Sequence, residues 1–66
     1  MNIIINGKER SFNQRLLLSD LIKQTCKTPK YVIAEVNGKI VKSLNWQDVA
    51  VNDSDKIELV SFVGGG

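Results

Sequence analysis

Two Asn-Gly dipeptides, Asn6-Gly7 and Asn37-Gly38, place the tightest constraint on how this chain folds. Asn-Gly between apolar runs is the strongest short-range signal for a β-hairpin, because such a turn needs a left-handed backbone at both central residues. The first dipeptide predicts strands at residues 2–6 and about 9–13. The second predicts a strand–turn–strand unit within residues 31–41. Two hairpins are therefore expected, one near the start of the chain and one in its second half.

A single helix is predicted between the hairpins, within residues 16–27. Leu18, Leu21 and Ile22 recur at helical spacing, continued by Thr25 or Cys26, and polar side chains fall on the opposite side. Ser19 and Asp20 suit the first turn, where acceptors and negative charge meet free backbone amides. Thr28-Pro29 is expected to end the helix, because a residue before proline avoids the helical conformation.

The last third of the chain predicts a loop, a turn and a final strand. Residues 43–50 are irregular, with a short helical turn expected around Trp46, and residues 52–55 form a turn before a strand at 56–62. Ile57 and Leu59 would face the core, while Glu58, Val60 and Phe62 would face outward. In the order β-β-α-β-β-β the one helix must cover one face of one sheet. The predicted fold is α+β, a β-grasp with a single mixed four- to five-stranded sheet and the helix packed across one face.

Size and composition exclude several classes of function. With 66 residues the chain forms one small domain with little material for an enclosed active site, so an enzyme is not expected. The net charge is +2 and the basic residues are scattered, which disfavours a nucleic-acid binder. Histidine is absent and Cys26 is the one cysteine, so an internal disulfide is excluded and the usual metal ligands are lacking. Without a long apolar segment or a leader sequence, the expected location is the cytoplasm.

The sheet face opposite the helix is the first candidate site. If the first, third and last main strands are neighbours, Ile4, Ile33 and Val60 form a contiguous apolar stripe on that face. Contiguous exposed apolar patches usually mark a partner site, although single exposed apolar side chains carry no meaning. The candidate partner-binding residues are Ile4, Ile33, Val60, Phe62 and Val63.

Three other conspicuous residue types favour structural interpretations. Cys26 lacks a partner base and is expected to be a small buried side chain. Asp53 and Asp55 are expected to cap a tight turn through backbone hydrogen bonds, since two carboxylates alone match a calcium loop poorly. Trp46 is expected to seal one end of the core.

The three terminal glycines, Gly64, Gly65 and Gly66, are the second candidate site. A strand that ends the fold has no structural need for residues that lose so much entropy when ordered. Three extended residues reach about 10 Å, and without side chains they can enter a narrow cleft of another protein. There the carboxylate of Gly66 becomes an unhindered electrophile once activated, for example as an acyl adenylate. The alternative interpretation is a frayed end or a cloning remnant. The predicted division is a domain at residues 1–63 and a flexible glycine tail at 64–66.

Taken together, these features resemble the ThiS family, the small ubiquitin-like β-grasp sulfur carriers of thiamine biosynthesis. The resemblance covers nearly the whole chain and rests on its length, the "MNIIINGKE" start, the "VIAEVNGKIV" hairpin, Trp46 after it, "VNDSDKIELV" and the terminal Gly65-Gly66. Two positions depart from the family pattern. Asp53-Ser54-Asp55 stands where the family usually has Asp-Gly-Asp, and Gly64 stands where a larger residue is usual.

The resemblance implies a carrier cycle in which Gly66 is the one reacting residue. A ThiF-like adenylating enzyme would use ATP and magnesium to adenylate Gly66, so this chain would bind no cofactor itself. A sulfur donor such as a cysteine desulfurase would convert the adenylate to a thiocarboxylate, which would deliver sulfur to a ThiG-like thiazole synthase. The chain would then be a protein co-substrate. Two alternatives stay open: a MoaD-like carrier for molybdopterin or another pathway, and a non-catalytic β-grasp interaction module with an idle tail.

Overall fold

The computed structural model describes residues 1–61 and confirms the predicted β-grasp. Within that range one α-helix, α1, spans Leu18–Thr25, and 3₁₀ helices span Pro29–Tyr31 and Ser43–Asp48. The strands in chain order are β1 (Asn2–Ile5), β2 (Lys8–Ser11), β3 (Leu16–Leu17), β4 (Val32–Val36), β5 (Lys39–Val41), β6 (Ala50–Val51) and β7 (Lys56–Ser61).

Five of these strands form one mixed sheet in the order β2-β1-β7-β4-β5. β1 and β7 run parallel, and the other neighbouring pairs run antiparallel. The final strand therefore lies at the centre of the sheet, between the two hairpins. This confirms that the first, third and last main strands are neighbours.

Both Asn-Gly dipeptides form the predicted hairpin turns. Asn6 and Gly7 have φ angles of 49° and 81°, and Asn37 and Gly38 have φ angles of 52° and 86°. Two consecutive left-handed residues are the requirement of a type I′ turn, whose twist matches that of the flanking strands. The first hairpin is shorter than predicted, because β1 ends at Ile5 and β2 covers Lys8–Ser11 rather than residues 9–13.

The core lies between α1 and the inner face of the sheet. Leu18, Leu21 and Ile22 are fully buried, which confirms the predicted helix face. The sheet contributes the alternate positions of its central strands, and Met1 and Phe12 pack against the edge of this core. The buried apolar side chains are Ile3, Ile5, Leu16, Leu18, Leu21, Ile22, Val32, Ala34, Trp46, Val51, Ile57 and Leu59.

A second, two-stranded sheet pairs β3 with β6 and was not predicted. Leu16 lies opposite Val51 and Leu17 opposite Ala50. The ladder continues into the helix, because the Leu18 amide donates to the Val49 carbonyl at 2.8 Å. This small sheet therefore ties the start of α1 to the second half of the chain.

Trp46 closes one end of the core, as predicted. Its side chain is 7% exposed, and its indole N–H donates to the Val41 carbonyl at 2.9 Å. A buried indole needs such a partner, because an unpaired buried donor costs free energy. Among residues 1–61, no helix is long and apolar enough to cross a membrane.

Candidate functional site

The strand that leads to the terminal glycines is the central strand of the sheet. β7 ends at Ser61, the last residue that the structure describes. The predicted site residues Phe62, Val63, Gly64, Gly65 and Gly66 lie outside the described residues, so their roles stay predictions. What the structure shows is how the domain holds the strand from which they continue.

Asn6 holds β7 two residues before its end. Its side-chain oxygen accepts the Leu59 amide at 2.8 Å, and its side-chain amide donates to the Leu59 carbonyl at 3.2 Å. Its own backbone N–H donates to the Ile57 carbonyl at 2.9 Å. The Asn6 side chain therefore continues the β1–β7 ladder after the β1 backbone has turned away. In the sequence Asn6 signals only a turn, so this second role was not predicted.

Asn37, in the other hairpin, holds the start of β7 in a similar way. Its side-chain oxygen accepts the Lys56 amide at 2.9 Å, and its side-chain amide donates to the Asp55 carboxylate at 2.9 Å. Asp55 is buried and also accepts the Asn52 amide at 2.8 Å. The predicted role of Asp55 as a turn cap is confirmed. An asparagine side chain is therefore hydrogen-bonded to the β7 backbone near each end of the strand.

The rest of that turn contacts the first strand. The Asp53 carboxylate accepts the Asn2 amide at 2.7 Å, and the Ser54 amide donates to the Asn2 carbonyl at 2.7 Å. Asp53 therefore also caps backbone, as predicted. Within residues 1–61 no group of three or more potential metal ligands is found. Ser54 has a φ of 71°, a left-handed conformation that glycine adopts at lower cost.

The open face of the sheet, opposite α1, carries an apolar pair near the end of β7. Ile33 on β4 lies directly opposite Val60 on β7, and these side chains are 40% and 54% exposed. The predicted continuous stripe through Ile4 is wrong. Ile4 lies opposite Lys56, at the other end of β7, and is half-buried, and the Glu58 position lies between it and Val60. Parallel pairing of β1 with the start of β7 produces this offset.

Ile40 is an exposed residue of the same face that the sequence did not single out. It lies opposite Glu35 in the β4–β5 pair and is 68% exposed. Glu35 lies in turn opposite Glu58 on β7. The open face therefore combines the Ile33–Val60 pair, adjacent to the end of β7, with two carboxylates one step further back.

On the helix side of the sheet, a cleft of about 570 Å³ opens beside the C-terminal end of α1. Ile5 and Leu59 line it together with Ser61, Lys8, Arg10 and Lys27. We call it the basic cleft, after these three cations. Cys26 also lines it; this side chain packs against the core as predicted but is only partly buried. The base of the residues that follow Ser61 is thus flanked by an apolar pair on one face and a cationic cleft on the other.

Comparison with known proteins decides the family. The model of the ThiS family matches residues 3–66. The chain belongs to the ThiS family. The match extends over the five residues that the structure does not describe, so the C-terminal glycines fall within the ThiS pattern.

Individual relatives agree with this assignment. The chain is 35% identical to the sulfur carrier protein ThiS of Bacillus subtilis, over 94% of this chain and 96% of that protein. All 66 residues of this chain align with a thiazole synthase of Paramagnetospirillum magneticum at 39% identity, and the aligned region is only 20% of that relative. The crystal structure of the thiamine biosynthesis protein ThiS from Geobacter metallireducens superposes with a TM-score of 0.83, at 28% identity and full coverage of both chains.

Proposed function

We propose that this ThiS-family chain is a sulfur carrier whose Gly66 carboxylate is converted to a thiocarboxylate that donates sulfur for thiazole formation in thiamine biosynthesis. The family match through residue 66 is the observation that carries the proposal. The Bacillus relative is named a sulfur carrier protein, and another relative is named a thiazole synthase. Similarity to a protein named a thiazole synthase supports a role in thiazole formation rather than in the molybdopterin pathway of MoaD-like carriers.

The chemistry takes place on a partner enzyme, and this chain is its co-substrate. A ThiF-like enzyme aligns the Gly66 carboxylate with ATP and magnesium; a carboxylate oxygen attacks the α-phosphorus and pyrophosphate leaves. A sulfur nucleophile, supplied from cysteine by a donor such as a desulfurase, then attacks the acyl carbon and displaces AMP. Because the attacking sulfur is the outer sulfur of a donor persulfide, the product is an acyl disulfide; a thiol then attacks the donor-side sulfur, forms a disulfide with the donor and releases the thiocarboxylate, which a ThiG-like thiazole synthase consumes.

The domain contributes a rigid base for the reacting end. β7 is hydrogen-bonded to strands on both sides, and the Asn6 side chain extends this support to Leu59. Gly64 and Gly65 carry no side chains, so they suit a narrow channel that leads to an active site. A rigid base with a slender end lets a partner capture the end without unfolding the domain.

The apolar pair Ile33–Val60 is the proposed contact with the adenylating enzyme, together with Phe62 and Val63. The two described residues face each other on adjacent strands next to the end of β7 and are substantially exposed. Ile4 stays a candidate contact on the same face, separate from this pair. The double variant I33A/V60A should raise the KM of the adenylating enzyme for the carrier about tenfold or more, since loss of buried apolar contact weakens binding. The matched control I40A, further from the end of β7, should change it less than threefold.

Intact-mass analysis tests the carrier role directly. After incubation with the adenylating enzyme, ATP, magnesium and a sulfur source, the chain should gain the mass of one oxygen-to-sulfur exchange. A variant that lacks Gly65 and Gly66 should keep its fold and show no gain, whereas a passive interaction module would keep its function without them. The proposal is contradicted if the wild-type chain stays unmodified while the same enzyme modifies another ThiS-family carrier in a parallel reaction.

A further inference from the structure

We propose that the basic cleft docks acidic side chains of the enzyme that activates the C-terminal end. This inference rests on the proposed carrier function and adds to it a second contact surface, of opposite character to the Ile33–Val60 pair. The occupant to which we commit is a carboxylate-bearing surface of that enzyme.

The charge of the cleft is the first argument. Lys8 and Arg10 lie at alternate positions of β2, opposite Ile5 and Ile3, so both point to the helix side of the sheet. Lys27 follows α1 and approaches the same cleft from the other wall. None of the residues from 1 to 61 that line the cleft is acidic. Three cations from two distant segments thus line one cleft, and no carboxylate of residues 1–61 lines it with them, which makes a local positive field that attracts an acidic surface.

The position of the cleft is the second argument. Leu59 and Ser61, at the end of β7, form part of its wall. Five extended residues after Ser61 reach at most about 18 Å, so an enzyme that holds Gly66 must place its own surface close to Ser61. The cleft is therefore continuous with the region that the enzyme has to cover.

The exposure of the cations favours a protein surface over a small anion. Lys8, Arg10 and Lys27 are all exposed. The Arg10 guanidinium lies 6.0 Å from the centroid of the Phe12 ring, at the outer limit of a cation–π contact. Lysine ammonium groups on flexible stems at the rim of an open cleft suit long-range attraction and loose ion pairs. Ile5 and Leu59 add an apolar floor, which a phosphate ion would not use but a protein side chain can cover.

The two flanking surfaces together define how the enzyme sits. Glu35 and Glu58 place two carboxylates on the open face behind the Ile33–Val60 pair, whereas the cleft on the helix side, whose wall includes Leu59 and Ser61, is basic. A partner with an acidic patch facing the cleft is therefore repelled if it approaches the wrong face. Complementary and opposing charges of this kind increase association rates and fix orientation more than they add affinity.

The test compares two triple charge reversals with the same change in net charge. K8E/R10E/K27E reverses the cleft, and K23E/K39E/K42E reverses three lysines that do not line it. The association rate constant with the adenylating enzyme is measured by stopped-flow at about 20 mM and about 500 mM salt, where the screening length falls from about 20 Å to about 4 Å. The cleft variant should associate at least about tenfold more slowly at low salt, with the difference largely lost at high salt. The control should change less than threefold.

Further measurements separate the other outcomes. If the reversed cleft variant does not fold by circular dichroism, the neutral variant K8Q/R10Q/K27Q replaces it and should show a smaller loss of the same sign. Equal effects of the cleft and control variants overturn the proposal. The proposal is also overturned if inorganic phosphate causes saturable NMR shifts of amides in the cleft but does not change the association rate constant. It is overturned as well if deletion of residues 62–66 shifts the cleft amides while the cleft charges have no effect on the association rate constant. At a saturating concentration of the adenylating enzyme, the cleft variant should still gain the mass of one oxygen-to-sulfur exchange. If the wild type itself does not gain this mass, the proposed carrier function is wrong, independently of the cleft.

Discussion

Replacing Asn6 with alanine tests whether a single side chain secures the end of β7. The Asn6 side chain makes two hydrogen bonds to the Leu59 backbone, at 2.8 and 3.2 Å, and its own backbone has a φ of 49°. Alanine removes both bonds and keeps a β-carbon in a left-handed conformation. Leu59 is 8% exposed, so water replaces the lost bonds poorly.

The expected loss of unfolding free energy follows from these contacts. Two neutral hydrogen bonds contribute about 0.5–1.5 kcal/mol each, and alanine in the left-handed region costs about 1 kcal/mol more. The sum is about 2–4 kcal/mol, which lowers the melting temperature of a domain this small by about 10–25 °C. Asn6→Gly also removes both hydrogen bonds, but glycine adopts the left-handed conformation without the cost that alanine has. Its free energy of unfolding should therefore fall by about 1 kcal/mol less than that of Asn6→Ala.

Urea denaturation followed by the fluorescence of Trp46, the one tryptophan of the chain, measures these differences. Hydrogen exchange of the Leu59 amide adds a local readout and should accelerate in both Asn6 variants. Asn13→Ala, at an exposed loop position, is the control and should stay within about 0.5 kcal/mol of the wild type. An Asn6→Ala variant as stable as the wild type, with an unchanged Leu59 amide, would refute the role assigned to this side chain.

Three further substitutions test other parts of the fold by urea denaturation, followed by Trp46 fluorescence except for Trp46→Phe, which lacks the one tryptophan and is followed by circular dichroism. Ser54→Gly should stabilise the domain by about 0.5–1 kcal/mol, because Ser54 has a φ of 71°; Ser54→Ala should not, and equal effects would remove the conformational explanation. Trp46→Phe should cost about 1–3 kcal/mol, since it leaves the Val41 carbonyl without its indole donor; no loss would mean that this bond contributes nothing. Leu21→Ala, in the fully buried helix face, should cost about 2–5 kcal/mol, and a cost below 1 kcal/mol would show that this face is not the core.

The elements that the sequence predicted well are those with local signals. Each Asn-Gly turn is recognised from two residues and their apolar flanks, and both have the expected left-handed conformations. The helix follows from side chains three and four positions apart, and Leu18, Leu21 and Ile22 are buried together. Alternation along β7 also placed Ile57 and Leu59 inside and Val60 outside. Short-range periodicity was sufficient for each of these predictions.

The features that the sequence did not predict depend on how strands far apart in the chain are paired. Alternation places Ile4 on the open face, but only the β1–β7 register shows that it lies opposite Lys56 rather than beside Val60. The two-residue strands β3 and β6 are too short for any periodic signal. The sequence also does not show that the side chain of Asn6 will reach a third strand.

The basic cleft illustrates the same limit. Lys8 and Arg10 are neighbours by alternation, but Lys27 joins them only through the packing of α1 against the sheet. Along the chain these cations look like part of a scattered, solvated set. Their common location, in one cleft with Ser61, is therefore visible only in the fold.

Tandem mass spectrometry of the C-terminal peptide shows whether sulfur is carried on the carbonyl carbon of Gly66. After reaction with the adenylating enzyme and a sulfur source, we expect exchange of one oxygen for sulfur on Gly66, and the same exchange in a Cys26→Ser variant. Thiazole synthase with its other substrates should then remove it. Addition of a whole sulfur atom at Cys26 as a persulfide, with Gly66 unchanged, would show that Gly66 does not carry the sulfur.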